Sequence, residues 1–250
     1  LFADESYWRD LVLLTWNLKT LEGRAAIRQM LDAQLDAASP VVFSLAPGET
    51  VDEADGVVSA WIDIDTKLIA GHGHIRIKDG RIWTLLTTAQ ELKGHEEPLN
   101  TRRPMGAEHG IQRGRKTWLE RREKEAAELG RSQQPFVLVI GGGQGGIALG
   151  ARLRQLGVSH IVIDRYPRPG DQWRSRYKSL CLHDPVWYDH LPYLPFPPNW
   201  PVFAPKDKIG DWLEMYTKVM ELNYWGSTVC KKASFNEKTQ EWEVQVERDG

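Results

Sequence analysis

The residues of this chain with the most legible chemistry are glycines. In Gly141-x-Gly143-x-x-Gly146 the three fixed positions have separate jobs: a tight turn, close approach of backbone to a pyrophosphate, and close packing of a helix on a strand. Each job excludes a Cβ. A helix opening at Gln144 and running through Gly145 and Gly146 would aim free N–H groups and its positive dipole end at the phosphates. Asp164 follows the turn by about twenty residues, where a carboxylate accepts hydrogen bonds from both ribose hydroxyls. That acid favours FAD or NAD over NADP, whose 2′-phosphate it would repel, although Arg165 beside it keeps the exclusion from being absolute.

Positioning these residues takes a buried strand, a turn, a helix and a second buried strand. The segment PFVLVIGGGQGGIALGARLRQLGVSHIVIDR supplies them in that order, with strands at about Phe136 to Ile140 and His160 to Asp164 and a helix from about Gln144 to Leu156. A glycine-rich turn alone is as often a plain strand-to-helix joint; both strands together with Asp164 argue for a nucleotide site. The glycines do not separate FAD from NAD. An NAD domain would ordinarily continue with another helix and strand, whereas here a long stretch rich in Pro and aromatic residues, Arg165 to Phe203, takes their place and reads as a functional loop. Beyond it, Lys206 to Leu222 reads as an amphipathic helix, and Ser227 to Phe235 with Gln240 to Glu247 as a hairpin.

The first half of the chain has a different pattern. Apolar residues at helical spacing predict a helix from about Gly23 to Asp36, and strand-like runs follow at Gly56 to Asp65, Leu68 to Lys78 and Arg81 to Thr88. Asp79-Gly80 joins the last two as a primed hairpin turn. This is a small α+β domain ending near Gly94. His72 and His74 share one strand face and Asp63 and Asp65 a face of its neighbour, an arrangement open to acid/base or metal chemistry but read here as solvated or structurally paired strand residues. Turn-forming residues and then dense mixed charge mark a connector from Gly94 to Gln134, with a helix at about Lys116 to Leu129 supported by Glu120 and Lys124 at i,i+4.

Composition narrows the function classes. A formal net charge of -2 and a pI near 6.4 give no footprint for nucleic acid or an anionic membrane. The two cysteines, Cys181 and Cys230, are far apart and outside any metal-ligand spacing, so no metal site is expected and a reducing, cytoplasmic setting fits. No apolar run has the length of a membrane helix. The start, LFADESYWRD, lacks an initiator Met, a basic region and an apolar run, so the chain is expected to begin inside a longer protein.

Further motifs carry a family resemblance. GGGQGG, Asp164, Gly170-Asp171-Gln172-Trp173-Arg174, Tyr177-Lys178-Ser179 and Leu194-Pro195-Phe196-Pro197 before Trp200-Pro201 resemble the flavin-containing monooxygenases, a group that includes the plant YUCCA-type enzymes. Asp171 stands where the family often has Gly, and Asp164 where Glu is commoner. The resemblance implies FAD as cofactor, with Gln172 and Trp173 along the ribityl or isoalloxazine side and Leu182 and His183 closing over it. It implies NADPH as reductant, a C4a-peroxide adduct formed with O2, and transfer of one oxygen to a small organic substrate. Nitrogen, sulfur and ketone oxygenation all remain open, and no catalytic residue is assigned. A second glycine fingerprint for NADPH is expected beyond residue 250, so the chain is expected to be a fragment of its enzyme.

The first half, through WRDLVLLTWNLKTLEGRAAIRQML, Gly71-x-Gly73 and DGRIWTLLTTAQELKGHEEP followed by RRPMG, resembles the nuclear-transport-factor-like (SnoaL-like) module, which implies a cone-shaped α+β fold and makes a homodimer plausible. The expected organisation is thus an α+β cone-shaped domain at 1–95, a linker with a charged helix at 96–134, and an incomplete α/β Rossmann-type FAD-binding domain at 135–250. Two alternatives stand beside the monooxygenase. A flavin disulfide reductase requires a redox cysteine pair, for which Cys181 has no partner nearby. A non-catalytic association protein with a degenerate flavin domain requires that FAD not be bound.

Overall fold

In the computed structural model the described residues are 1–106 and 109–250; the predicted connector includes residues 107 and 108, which lie outside them. The chain divides into two compact units, Leu1–Glu97 and Pro98–Gly250.

Unit 1 runs β1 (Phe2–Leu11), β2 (Leu18–Glu22), α1 (Gly23–Ala38), β3 (Val42–Leu45), β4 (Asp52–Ala54), β5 (Val57–Asp65), β6 (Ile69–Lys78) and β7 (Arg81–Leu92). One seven-stranded sheet results, in the order β2-β1-β7-β6-β5-β3 with β4 also on β5. Only the β1–β7 pair is parallel. Strand alternation turns Trp8, Ile62, Ile64 and Leu85 into one core with Ile27 and Met30 of α1. The predicted helix and three strands are present, and Asp79-Gly80 forms its hairpin turn with both φ values positive, 51° and 66°.

Strands β1 to β4 were not legible. β1 carries Asp10 on its buried side, which breaks the apolar alternation. Its carboxylate is fully enclosed and accepts hydrogen bonds from Leu14 N, Thr15 N and the hydroxyls of Thr15 and Thr87, so a buried charge is matched by four donors.

Unit 2 runs α2 (Trp118–Glu128), β8 (Val137–Ile140), α3 (Gln144–Gln155), β9 (His160–Ile163), α4 (Asp171–Arg174), α5 (Lys206–Val219), β10 (Tyr224–Trp225), β11 (Thr228–Asn236) and β12 (Glu241–Arg248). A parallel three-stranded sheet has the order β10-β9-β8, and β11 pairs with β12 as an antiparallel hairpin. The central strand β9 is buried along its whole length, as a continuous apolar run in a parallel sheet should be. Ile147 and Ala151 of α3 join Ile209, Leu213 and Tyr216 of α5 in the main core of this unit.

The charged helix α2 packs on the sheet unit. Thr117 and Glu120 close a capping box at its start, so Glu120 is engaged there, and Lys124 pairs with Glu128 at 3.6 Å. Glu125 receives Arg154 Nη1 at 2.6 Å, Asn223 Nδ2 at 2.9 Å and Arg122 Nη1 at 2.6 Å, while the Trp118 indole donates to Glu221 at 2.7 Å. Leu129, just past the helix, is buried with Ile161 and Ile163. Burial alone would raise the Glu125 carboxyl, but the hydrogen bonds from Asn223 and Arg154 hold it below the ordinary glutamate value of 4.5.

A depressed folded-state value contributes stability above pH 4.5 that is lost as pH falls through the lowered value. Glu125→Gln is therefore expected to lower the unfolding free energy at pH 7 by about 1–2 kcal/mol. It should also flatten the decline of stability below pH 4.5, read by urea unfolding across pH 3 to 7.

Candidate cofactor site

The turn after β8 is closed by backbone and pinned by one carboxylate. Gly141, at φ 107°, donates its N–H to the Ile163 carbonyl at 2.9 Å, joining the ends of β8 and β9. Gly142 N donates to Asp164 Oδ2 at 2.6 Å, and Tyr166 N to Asp164 Oδ1 at 2.8 Å. The backbone of Asp164 adds bonds to Trp225 O at 3.0 Å and from Thr228 N at 2.8 Å. Asp164 is only 9% exposed, so these charge-assisted bonds form out of competition with water.

The glycines are demanded by space. A Cβ on Gly146 would run into the Gly141 carbonyl oxygen, and one on Gly142 into the ring of Tyr224, whose hydroxyl also lies 3.4 Å from the Gly142 carbonyl. On Gly143 a Cβ would stand 3.3 Å from Gln172 Nε2, whereas at Gly145 nothing lies within 4 Å. Gly143 is the N-cap of α3 and offers no side-chain acceptor, so no side chain of its own competes for the helix N-terminus.

Helix α4 brings the next pair to the same turn. Gly170, at φ 86°, lets its backbone meet that of Gly210 in α5, where a Cβ would collide. Arg174 pairs with Asp171 within α4 at 2.9 Å and ties α4 to α5 through Asp211 at 2.8 Å and Glu214 at 2.9 Å. Asp171, where the family often has Gly, thus serves as a partner for Arg174 and Arg168. Burial would raise its carboxyl, and those two guanidiniums hold it below the ordinary aspartate range. With α4 fixed, the Trp173 indole donates to Gln144 Oε1 at 3.1 Å, and both amide atoms of Gln172 are sealed from solvent without a partner.

The structure therefore assembles Gly141, Gly143, Gln144, Gly145, Gly146, Asp164, Gln172 and Trp173 around one turn. Three other residues from the sequence reading sit differently. Arg165 is exposed, its guanidinium 5.1 Å from the centre of the Tyr166 ring. Leu182 is buried in the cluster that includes Ile147 and Ala204, and His183 is exposed. Gly142 and Tyr224 were missed; the third consecutive glycine was the available signal. Burial, followed by the nearby Asp164 and Asp171 charges, raises the Tyr224 phenol well above its usual range, so the ring is a neutral wall.

A cradle that a Cβ would fill, an unopposed helix N-terminus and an orphaned buried amide together fit a dinucleotide. The polar cluster of unit 1 is otherwise accounted for. His72 Nδ1 lies 2.9 Å from Asp63 under the stacked ring of Trp61, and Asp65 pairs with Lys93 at 2.7 Å. Among the described residues no group of acids, histidines or cysteines is placed to hold a metal.

Residues 135–179 match a family described as FAD binding domain. An uncharacterized CzcO-like oxidoreductase of Geobacillus kaustophilus (strain HTA426) is 40% identical over 86 residues, 34% of this chain and 25% of its own length. Indole-3-pyruvate monooxygenase YUCCA1 of Oryza sativa subsp. japonica is 32% identical over 126 residues, 50% of this chain and 31% of its own. Among solved structures, a flavin-containing monooxygenase from Stenotrophomonas maltophilia aligns with TM-score 0.41 at 27% identity, over 45% of this chain and 33% of that one. The chain spans between 25% and 31% of the length of these two curated relatives.

The unequal space at neighbouring glycines gives a direct check on this geometry. Gly146→Ala should destabilise unit 2 by about 1–3 kcal/mol in thermal or urea unfolding, and Gly145→Ala should leave it unchanged or slightly more stable. By its motif and the match of residues 135–179, the second unit carries a segment similar to the FAD-binding segment of flavin monooxygenases.

Proposed function

We propose that this chain is the cofactor-binding front end of an FAD- and NADPH-dependent monooxygenase acting on a small organic substrate with O2. The observation that carries the reading is the cradle at Gly143 and Gly146, pinned by Asp164, within the segment that matches a FAD binding domain. The bound cofactor would supply the redox chemistry, moving electrons from a nicotinamide to dioxygen and one oxygen atom to the substrate.

The chain's own residues bind and orient. The α3 N-terminus with Gly143, Gln144, Gly145 and Gly146 takes the pyrophosphate. Each Asp164 oxygen is engaged by one backbone N–H and keeps acceptor capacity for a ribose hydroxyl. Arg165 stands outside it, at the edge of that sugar. Gln172 and Trp173 face the flavin side, and the segment of Leu182 and His183 borders it. Tyr224 covers the back of the turn and keeps water from it.

For unit 1 we propose the nuclear-transport-factor-like module, acting in association, with a homodimer as its form. The mixed sheet with one helix packed on it supports this. Among the described residues no helix is long and apolar enough to cross a membrane, and both cysteines are free, in keeping with a cytoplasmic enzyme.

The test is a visible spectrum. In a form extended to the length of its relatives, the protein reconstituted with FAD and passed through gel filtration should retain about one flavin per polypeptide, as a specific site requires. Anaerobic NADPH should then bleach that flavin and air restore it. Loss of all flavin on the column would overturn the reading in favour of a non-catalytic association protein.

A further inference from the structure

Within unit 1, α1 packs on one face of the sheet, and the opposite face carries a row of side chains unlike an ordinary solvated surface. The strand registers set Thr20 of β2, Arg9 of β1, Leu86 of β7, His74 of β6 and Trp61 of β5 side by side across five strands. Tyr7, two residues before Arg9 on the same strand face, joins them from the next row. Together these residues line an open cavity of about 290 Å³. The strands of Arg9 and Trp61 lie three spacings apart, about 14 Å between backbones, with Leu86 and His74 between them.

The walls of this cavity are held in place from outside it. The Trp61 indole stacks on His72 at 5.1 Å and 7°, His72 Nδ1 lies 2.9 Å from Asp63, and the His74 ring meets the same indole edge-on at 4.7 Å. At the other end Arg9 donates to the Thr20 hydroxyl, which orients the guanidinium without neutralising it. Among the described residues no carboxylate pairs with Arg9, whereas Arg24 takes Asp4 at 2.9 Å and Arg76 lies 4.8 Å from the centre of the Trp83 ring. Trp61 and Tyr7 stay 41% and 45% exposed, so aromatic surface and a free positive charge face outward together. Aromatic surface rimmed by polar groups in this way marks a binding site.

We propose that this row is a binding site for a small aromatic carboxylate. Arg9 takes the carboxylate through its planar fork of donors, and the ring lies over Leu86 between Tyr7 and Trp61, with His74 at its edge. The volume is at the lower end of small-molecule sites and fits a compound of one ring. A neutral aromatic leaves Arg9 unanswered, and an anion without a ring leaves the indole and phenol uncovered, so both parts of the ligand are required. A second copy docked face to face brings another Arg9 to the same surface, and burying two unpaired cations there is costly. The site is independent of the FAD reading and gives unit 1 a ligand of its own, beyond its role in association.

The full chain, titrated with 3-phenylpropionate and followed by backbone amide NMR shifts, tests this, with 3-phenylpropanamide and propionate as the neutral and the ringless probes. The acid should bind with a Kd of about 1 mM or tighter and shift the amides of Tyr7, Arg9, Trp61, His74 and Leu86, while each of the other two probes binds about tenfold more weakly. Arg9→Gln should weaken the acid about tenfold and leave the melting temperature unchanged, because the side chain is exposed and lacks an acidic partner. Trp61→Leu should weaken it several-fold. Equal affinity for the acid and the amide, or wild-type affinity in Arg9→Gln, would show that no carboxylate is read and would overturn the proposal. Absence of binding at about 10 mM acid, or shifts confined to other residues, would overturn it as well. So would a change of oligomeric state in Arg9→Gln, read by sedimentation, without any acid binding in the wild type, which would make this face an interface between copies. Failure of the chain to retain FAD bears on unit 2 alone and leaves each of these outcomes readable.

Discussion

Asp164 ends the central strand β9, and its carboxylate accepts the N–H of Gly142 on one oxygen and that of Tyr166 on the other. Two charge-assisted bonds, each typically about twice as strong as a neutral one, thereby hold the glycine turn against the end of the sheet. Much of the site depends on this constraint. With Gly142 drawn to Asp164, the turn can be closed by Gly141, and α3 then leaves the sheet with its N-terminus aimed across Gly143. In the proposed function the carboxylate that shapes the turn would also read the ribose.

A second layer of ion pairs fixes what surrounds the turn. Arg174 gathers Asp171, Asp211 and Glu214 and so locks the short helix α4 onto α5, with Lys206 donating to the Arg174 carbonyl at 2.7 Å. A four-residue helix has almost no stability of its own, so its orientation comes from these contacts and from the Gly170–Gly210 approach. On the far side, Glu125 ties α2 to α3 through Arg154 and to the loop before β10 through Asn223. Unit 2 thus includes α2, tied to its sheet ahead of the first strand.

The strand, turn and helix of the phosphate motif were legible because their requirements are local: positive φ, absent Cβ and an acid at a strand end all fall within one segment. What the sequence hid depends on distant partners. Gly142 needs to be glycine because Tyr224, far along the chain, lies on it. Asp171 looks like a departure from the family until Arg174, Asp211 and Glu214 are seen around it. Leu182, expected from the resemblance to close over the cofactor, packs its side chain into the core shared by α3 and α5. β1 was obscured by Asp10, whose burial is acceptable only because Thr87, on another strand, completes its donors.

Hydrogen exchange of the backbone amides, followed by mass spectrometry with and without FAD, addresses the central claim most directly, since the turn's N–H groups are the proposed phosphate ligands. The account requires FAD to slow exchange in the peptides covering residues 141–147 and 170–174 while leaving those of unit 1 unchanged. Unchanged exchange at 141–147 in the presence of saturating FAD, or protection confined to unit 1, would contradict it.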